Sequence, residues 1–309
     1  MTTPRDALRE HEARQRLARR RMRKGVYILP SLITSINIYM GFYAVVESLK
    51  GYKFLALNDP ATATNHFDIA AMCIGWAVLC DFLDGRIARL VNATSDFGVQ
   101  LDSLADVLSF GIAPAVVAYA WGFSTLPEFQ KLSWGASFMF LMCGVLRLAR
   151  FNVQAAKPVP VEKNAKTAKR FFVGLPIPAA AGVLAAIVHF APSPISQKFT
   201  EVNLFGERLL LTPVLYATLL LVLLIGLALL MVSTFRFNSF KGVGPHTRHP
   251  RLLLPGIGLL IFMVYNYSQW TLLLLAALYA GQGPLGKLFG LFRRKPSALG
   301  SESIMLERD

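Results

Sequence analysis

The chain has 309 residues, of which 54% are hydrophobic and 16% charged, and its formal net charge is +14. A soluble globular domain carries about 25% charged residues, so this composition excludes an ordinary soluble fold and points to a membrane protein. Nucleic-acid binding is also excluded, because the excess Lys and Arg is divided among short segments between apolar runs, where anionic lipid headgroups are the expected partner.

Residues 1–24 hold nine Lys or Arg against three acids, with Ala13 and Leu17 one turn apart. The arm reads as a basic helix on the membrane surface or as a basic tail. No cleavable signal peptide is expected, since the polar stretch is longer than a signal's charged lead. Eight apolar segments follow, at about 27–49, 69–91, 99–121, 132–152, 172–191, 209–235, 252–265 and 270–288. Crossing a hydrocarbon core about 30 Å thick takes roughly 20 apolar residues in a helix. The expectation is therefore all-α: a polytopic membrane bundle of about eight transmembrane helices over residues 25–290. The seventh segment is short and contains Pro255, Gly256 and Gly258, so it is expected to be kinked, tilted or fused with its neighbour. Residues 291–309 read as a disordered tail. Cys73, Cys80 and Cys143 fall inside apolar segments and read as small packing residues.

Loop charges set the expected orientation. Lys157, Lys163, Lys166, Lys169 and Arg170 crowd the connection after the fourth segment. Arg236, Lys241, Arg248 and Arg251 follow the sixth, and Lys287, Arg293, Arg294 and Lys295 lie at and beyond the end of the eighth. The alternate connections are nearly neutral. Positive loops stay cytoplasmic, so both termini are expected there, in a bacterial-type inner membrane.

The second and third segments carry charges that a lipid-facing helix would not hold. Asp81 and Asp84 are three residues apart, and Asp102 and Asp106 four apart, so each pair shares one helical face. Only residues 90–97 separate the two runs, which makes the helices antiparallel neighbours with acidic faces able to meet. Each Asp within the membrane costs about 2.5–3.5 kcal/mol before like-charge repulsion is counted. Arg86 and Arg89 offset part of that charge, and two divalent cations would balance four carboxylates. Carboxylate oxygens suit Mg2+ or Mn2+, whereas zinc usually brings His or Cys. Two other readings stand beside this one: interhelical salt bridges to Arg86 and Arg89, and a divalent cation transporter.

These residues spell D-x2-D-G-x2-A-R-x8-G-x3-D-x3-D, through Asp81, Asp84, Gly85, Ala88, Arg89, Gly98, Asp102 and Asp106. The pattern is similar to the signature of the CDP-alcohol phosphotransferase family. The resemblance implies that Asp81, Asp84 and Asp102 hold a pair of Mg2+ or Mn2+ ions, with Asp106 completing the site as general base. It also implies a nucleotide pocket lined by Gly85, Ala88, Arg89 and Gly98, and a homodimer. The chemistry is consistent with these residue types. Paired cations neutralise a diphosphate, a carboxylate accepts the proton of an attacking hydroxyl, and Arg89 stays charged beside phosphate.

Other stretches resemble the bacterial phosphatidylserine synthases within that family. They are residues 25–34 with Asn37 and Gly41, residues 147–152, residues 174–181, and Met231-Val232-Ser233 with Arg236 and residues 239–241. Pro30-Ser31 departs from the Pro-Asn more often seen there. This resemblance implies CDP-diacylglycerol as donor and L-serine as acceptor, with phosphatidylserine and CMP as products. Glycerol 3-phosphate, inositol phosphate and choline are the alternative acceptors. Serine requires a cation for its carboxylate; Arg147 and Arg150, one turn apart, are the first candidates and Arg236 the second.

Overall fold

The computed structural model describes residues 31–90, 96–124, 126–156, 172–198, 200–204, 207–237 and 250–292. The basic arm at 1–24 and the tail from 293 lie outside the described residues. The helices in chain order are α1 (Ser31–Ala56), α2 (Pro60–Leu90), α3 (Asp96–Asp106), α4 (Ala113–Gly122), α5 (Gln130–Ala156), α6 (Ile177–Phe190), α7 (Pro213–Val232), α8 (Pro250–Asn266) and α9 (Ser268–Phe292). A π-helical turn, Val107–Ile112, joins α3 to α4 into one long rod. Two short antiparallel ladders complete the described chain. β1 (Phe172–Val173) pairs with β4 (Arg236–Phe237), and β2 (Thr200–Leu204) pairs with β3 (Glu207–Leu211).

The all-α membrane architecture expected from the sequence is present. Among the described residues, six helices are long and apolar enough to cross a membrane: Ser31–Ala56, Pro60–Ile87, Phe97–Gly122, Pro127–Gln154, Ile177–Gln197 and Pro213–Val232. The seventh and eighth expected segments are helical as α8 and α9 but fall outside those six; α8 has 17 residues and contains Pro255. Lipid tails are as apolar as Leu, so helices in a bilayer associate through close packing, which small residues permit. One of the two most extensive seams follows that rule. Ala63, Phe67, Ala70, Ile74 and Ala77 form a fully buried stripe on α2, and α2 packs along α6, where Ala180, Ala181 and Leu184 are buried. Large residues such as Trp76, Phe138 and Leu219 point outward. All three cysteines are free thiols, and Cys73 is buried.

Three boundaries differ from the sequence expectation. Helix α2 begins at Pro60 rather than near 69, because its polar opening is satisfied within the protein. The Thr62 amide donates to Asp59 Oδ1 at 3.1 Å and caps the helix. Glu47 of α1, 1% exposed, bonds His66 at 2.6 Å and Lys50 at 2.7 Å. His189 of α6 bonds Asp68 through Nδ1 at 2.5 Å and Ser268 of α9 through Nε2 at 2.9 Å, joining three helices. Residues 172–176 are not helical: Gly174 takes φ +82°, and its amide donates to the Phe235 carbonyl at 2.9 Å. A side chain there would meet the Met231 carbonyl, so the crossing of the two chain segments requires glycine. Residues 209–211 belong to β3, and the helix starts after Thr212, whose hydroxyl accepts from the Leu215 amide.

The Asp68–His189–Ser268 chain makes a stability prediction. His189→Ala removes both bonds and leaves Asp68 without its ring partner, so the variant should unfold more easily by about 1–3 kcal/mol. Thermal unfolding of the detergent-solubilised protein checks this; a midpoint equal to wild type would contradict it.

Candidate active site

The acidic residues lie toward the C-terminal end of α2 and the N-terminal part of the α3–α4 rod, so antiparallel packing brings them to one end of the bundle. Asp81, Asp102 and Asp106 each offer a carboxylate oxygen, and these oxygens lie within 4.8 Å of one another. At that distance two ionised carboxylates repel by about 3–4 kcal/mol at an effective dielectric of roughly 20. Asp84 is 5% exposed and stands outside this closest group. Its Oδ2 accepts from the Thr34 hydroxyl of α1 at 3.0 Å, so α1 closes the site from a third side.

Among the described residues, few hydrogen-bond donors meet these carboxylates. Asp102 Oδ1 and Asp106 Oδ1 are buried without a hydrogen-bond partner. Arg86 on α2 is exposed and stacks its guanidinium over Phe82 at 4.6 Å. Buried carboxylate oxygens that converge without donors form a hard, all-oxygen set that fits Mg2+ or Mn2+.

Asp106 ends α3, and the π turn follows it directly. Pro114, in the first turn of α4, has no amide to continue the regular bonding pattern, and a local widening accommodates its ring. The turn directs the buried Ser109 toward α1, where its hydroxyl donates to the Asn37 carbonyl at 2.9 Å. Gly41 packs so closely on Ser109 that any side chain there would overlap it.

Helix α5 supplies the nearby cation. The Asn152 amide nitrogen donates to Ser103 Oγ at 2.9 Å, tying α5 to α3 beside Asp102. Five residues earlier, Arg147 is half-buried with its Nε unpartnered, within electrostatic reach of Asp106 and of Tyr279 on α9. Arg150, one turn on, is exposed. The structure thus separates two arginines that the sequence left equivalent. Gly85 and Gly98 are half-buried on the two acid-bearing helices. The side chains of Ala88, Arg89 and Arg236 lie outside the described part, although the Arg236 backbone pairs with Val173. Thr34, Ser109 and Tyr279 entered no sequence reading of the site's chemistry. Thr34 alone carried a signal, as a polar residue three positions from Asn37 in an apolar run.

The family model described as CDP-alcohol phosphatidyltransferase matches residues 27–223. A relative from Helicobacter pylori bears the name CDP-diacylglycerol–serine O-phosphatidyltransferase; it is 28% identical over 267 residues, covering 82% of this chain and 95% of its own. A relative of the same name from Bacillus subtilis is 34% identical over 213 residues, covering 69% of this chain and 91% of its own. One from Saccharomyces cerevisiae, also of that name, is 42% identical over 149 residues, covering 47% of this chain and 48% of its own.

The convergence of the carboxylates predicts metal binding that depends on them. Mn2+ titrated into the purified protein and followed by electron paramagnetic resonance should bind. In Asp102→Asn the affinity should fall by roughly tenfold or more, the loss that even an outer partner of a metal site can cause. Equal binding by wild type and variant would remove Asp102 from the metal site.

Proposed function

This chain belongs to the CDP-alcohol phosphatidyltransferase family, and from that premise we propose that it transfers the phosphatidyl group of CDP-diacylglycerol to L-serine, forming phosphatidylserine and CMP. The observation that carries the reaction is the trio of Asp81, Asp102 and Asp106, with buried unpartnered oxygens on two of them, beside the half-buried Arg147. Such a site suits cations and an anionic substrate together. The choice of serine is supported by the names of relatives that this chain covers along 95% and 91% of their length.

In this reading Asp81, Asp84, Asp102 and Asp106 hold two Mg2+ or Mn2+ ions, whose chemistry when bound is to neutralise the diphosphate and the departing phosphate. Asp106 accepts the proton of the serine hydroxyl as the oxygen–phosphorus bond forms and the bond to CMP breaks. Arg147 pairs with the serine carboxylate, a charge-assisted contact from a half-buried side chain. Arg150, being exposed, is a weaker candidate for that role than Arg147, and Arg236 follows it. Gly85, Ala88, Arg89 and Gly98 line the nucleotide pocket, where glycine and alanine leave room for the ligand against the backbone. The protein works as a homodimer in a bacterial-type inner membrane, with the carboxylate end and both termini facing the cytoplasm.

The acceptor is tested by offering serine, glycerol 3-phosphate, inositol phosphate and choline separately to purified enzyme with CDP-diacylglycerol and Mn2+. CMP release is expected with serine, and release only with another alcohol would refute the assignment. Arg147→Ala should raise the KM for serine by roughly 10- to 100-fold, the value of a charged hydrogen bond, with a smaller effect on the CDP-lipid. An unchanged serine KM would move the carboxylate partner elsewhere.

Orientation is tested in a background lacking the three native cysteines. Asn58 and Gln154 are exposed at opposite ends of the bundle. A cysteine at Gln154 should react with an impermeant thiol reagent from the cytoplasmic side and one at Asn58 from the other. Labelling of both from one side would overturn the topology.

A further inference from the structure

Asn37 of α1 is 0% exposed, and neither its Oδ1 nor its Nδ2 has a hydrogen-bond partner. Among the described residues it is the side chain in which both polar atoms are buried and unsatisfied. Leaving either atom unpaired is costly, and buried polar atoms in native proteins are almost always paired. A ligand that pairs both atoms explains why the residue is tolerated there.

Its surroundings say which ligand. The buried face of α1 runs through Thr34, Asn37, Gly41, Ala44 and Ser48, so Asn37 shares a face with Thr34, whose hydroxyl holds Asp84. Its own carbonyl accepts from Ser109, three residues past Asp106, and Gly41 packs directly on Ser109 one turn further along. The backbone at Asn37 is thereby held against the turn that follows Asp106, one helical turn from the Thr34–Asp84 bond.

An uncharged amide presents an acceptor and donors together. The ammonium of an amino acid needs an acceptor that is not already engaged by cations, and a neutral oxygen supplies one without adding negative charge to a crowded acidic site. The carboxylate of the same substrate needs donors. Phosphorylated alcohols carry no ammonium and leave the amide oxygen unused. Resting on serine as the acceptor, we propose that Asn37 is a specificity-determining residue: Oδ1 accepts from the serine ammonium, and Nδ2 donates to its carboxylate, which Arg147 also holds.

The test compares wild type, Asn37→Leu and Asn37→Asp in detergent with CDP-diacylglycerol and Mn2+, following CMP. The acceptors are L-serine and 3-hydroxypropionate, which is serine without its amino group. Wild type should use serine far better than 3-hydroxypropionate. In Asn37→Leu the serine KM should rise at least about tenfold, while the KM for CDP-diacylglycerol stays within about twofold and preference for serine collapses. Asn37→Asp preserves shape and the acceptor oxygen but loses the donor, so it should keep the preference for the amino-bearing substrate at a raised KM. This second variant also serves if the leucine protein does not fold. An unchanged serine KM, or equal loss toward both acceptors and the CDP-lipid, overturns the role of Asn37. A wild type that releases no CMP with serine sinks the acceptor reading and this inference together, an outcome visible before any variant is made.

Discussion

The structure turns on the accommodation of carboxylates inside an apolar bundle. Four aspartates are carried on two packed helices, three of them with oxygens within 4.8 Å of one another. Partial burial limits the hydration that would offset the repulsion, and Arg86 stacks on a phenylalanine ring. Bound cations would offset that repulsion, and Arg147 lies within electrostatic reach of Asp106. Helices α1, α2, α3 and α5 converge on this end.

The charged groups at the two ends of the bundle are paired differently. At the end away from the acids, Glu47 is paired with Lys50 and His66, and Asp68 with His189, which also reaches Ser268. Those groups satisfy one another and hold helices together. At the acidic end, Asn37, Asp102, Asp106 and Arg147 keep buried atoms without protein partners. A satisfied polar cluster fixes packing, whereas converging unsatisfied groups have their partners in a ligand. Isolated hydroxyls of Ser137 and Ser196 are also unpartnered, but only at the acidic end do unpartnered charged groups gather among the described residues.

Helices distant in sequence supply what the acidic pair lacks. Helix α1 contributes Thr34 to Asp84 and is brought into backbone contact with the π turn by Gly41 and Ser109. Helix α5 contributes Arg147 and is anchored beside Asp102 by Asn152. Helix α9 packs on α6 and carries Tyr279 into reach of Arg147, which makes it part of the bundle around the site and more than an outer appendage. Each side chain acts from a helix held by its own polar tie, so the groups keep their relative positions in a fluid membrane.

Legible in the sequence were the all-α membrane class, the approximate position of the long apolar helices, and the pairing of acids at three and four residue spacing. These are local properties: hydropathy and helical periodicity act along one segment and can be read without knowing its neighbours. The early start of α2 was hidden because Thr62, His66 and Asp68 look unsuited to a membrane helix until their partners are known. Arg147 and Arg150 were indistinguishable for a related reason, since one helical turn separates them and only the position of α3 decides which one faces the acids. Tertiary structure alone decided that Asp84 is bonded to Thr34 while the other three aspartates converge, and that Asn37 is left without a partner. Pairing across helices depends on contacts between residues 50 to more than 100 positions apart, and no periodicity within a single segment encodes which of two polar faces will meet.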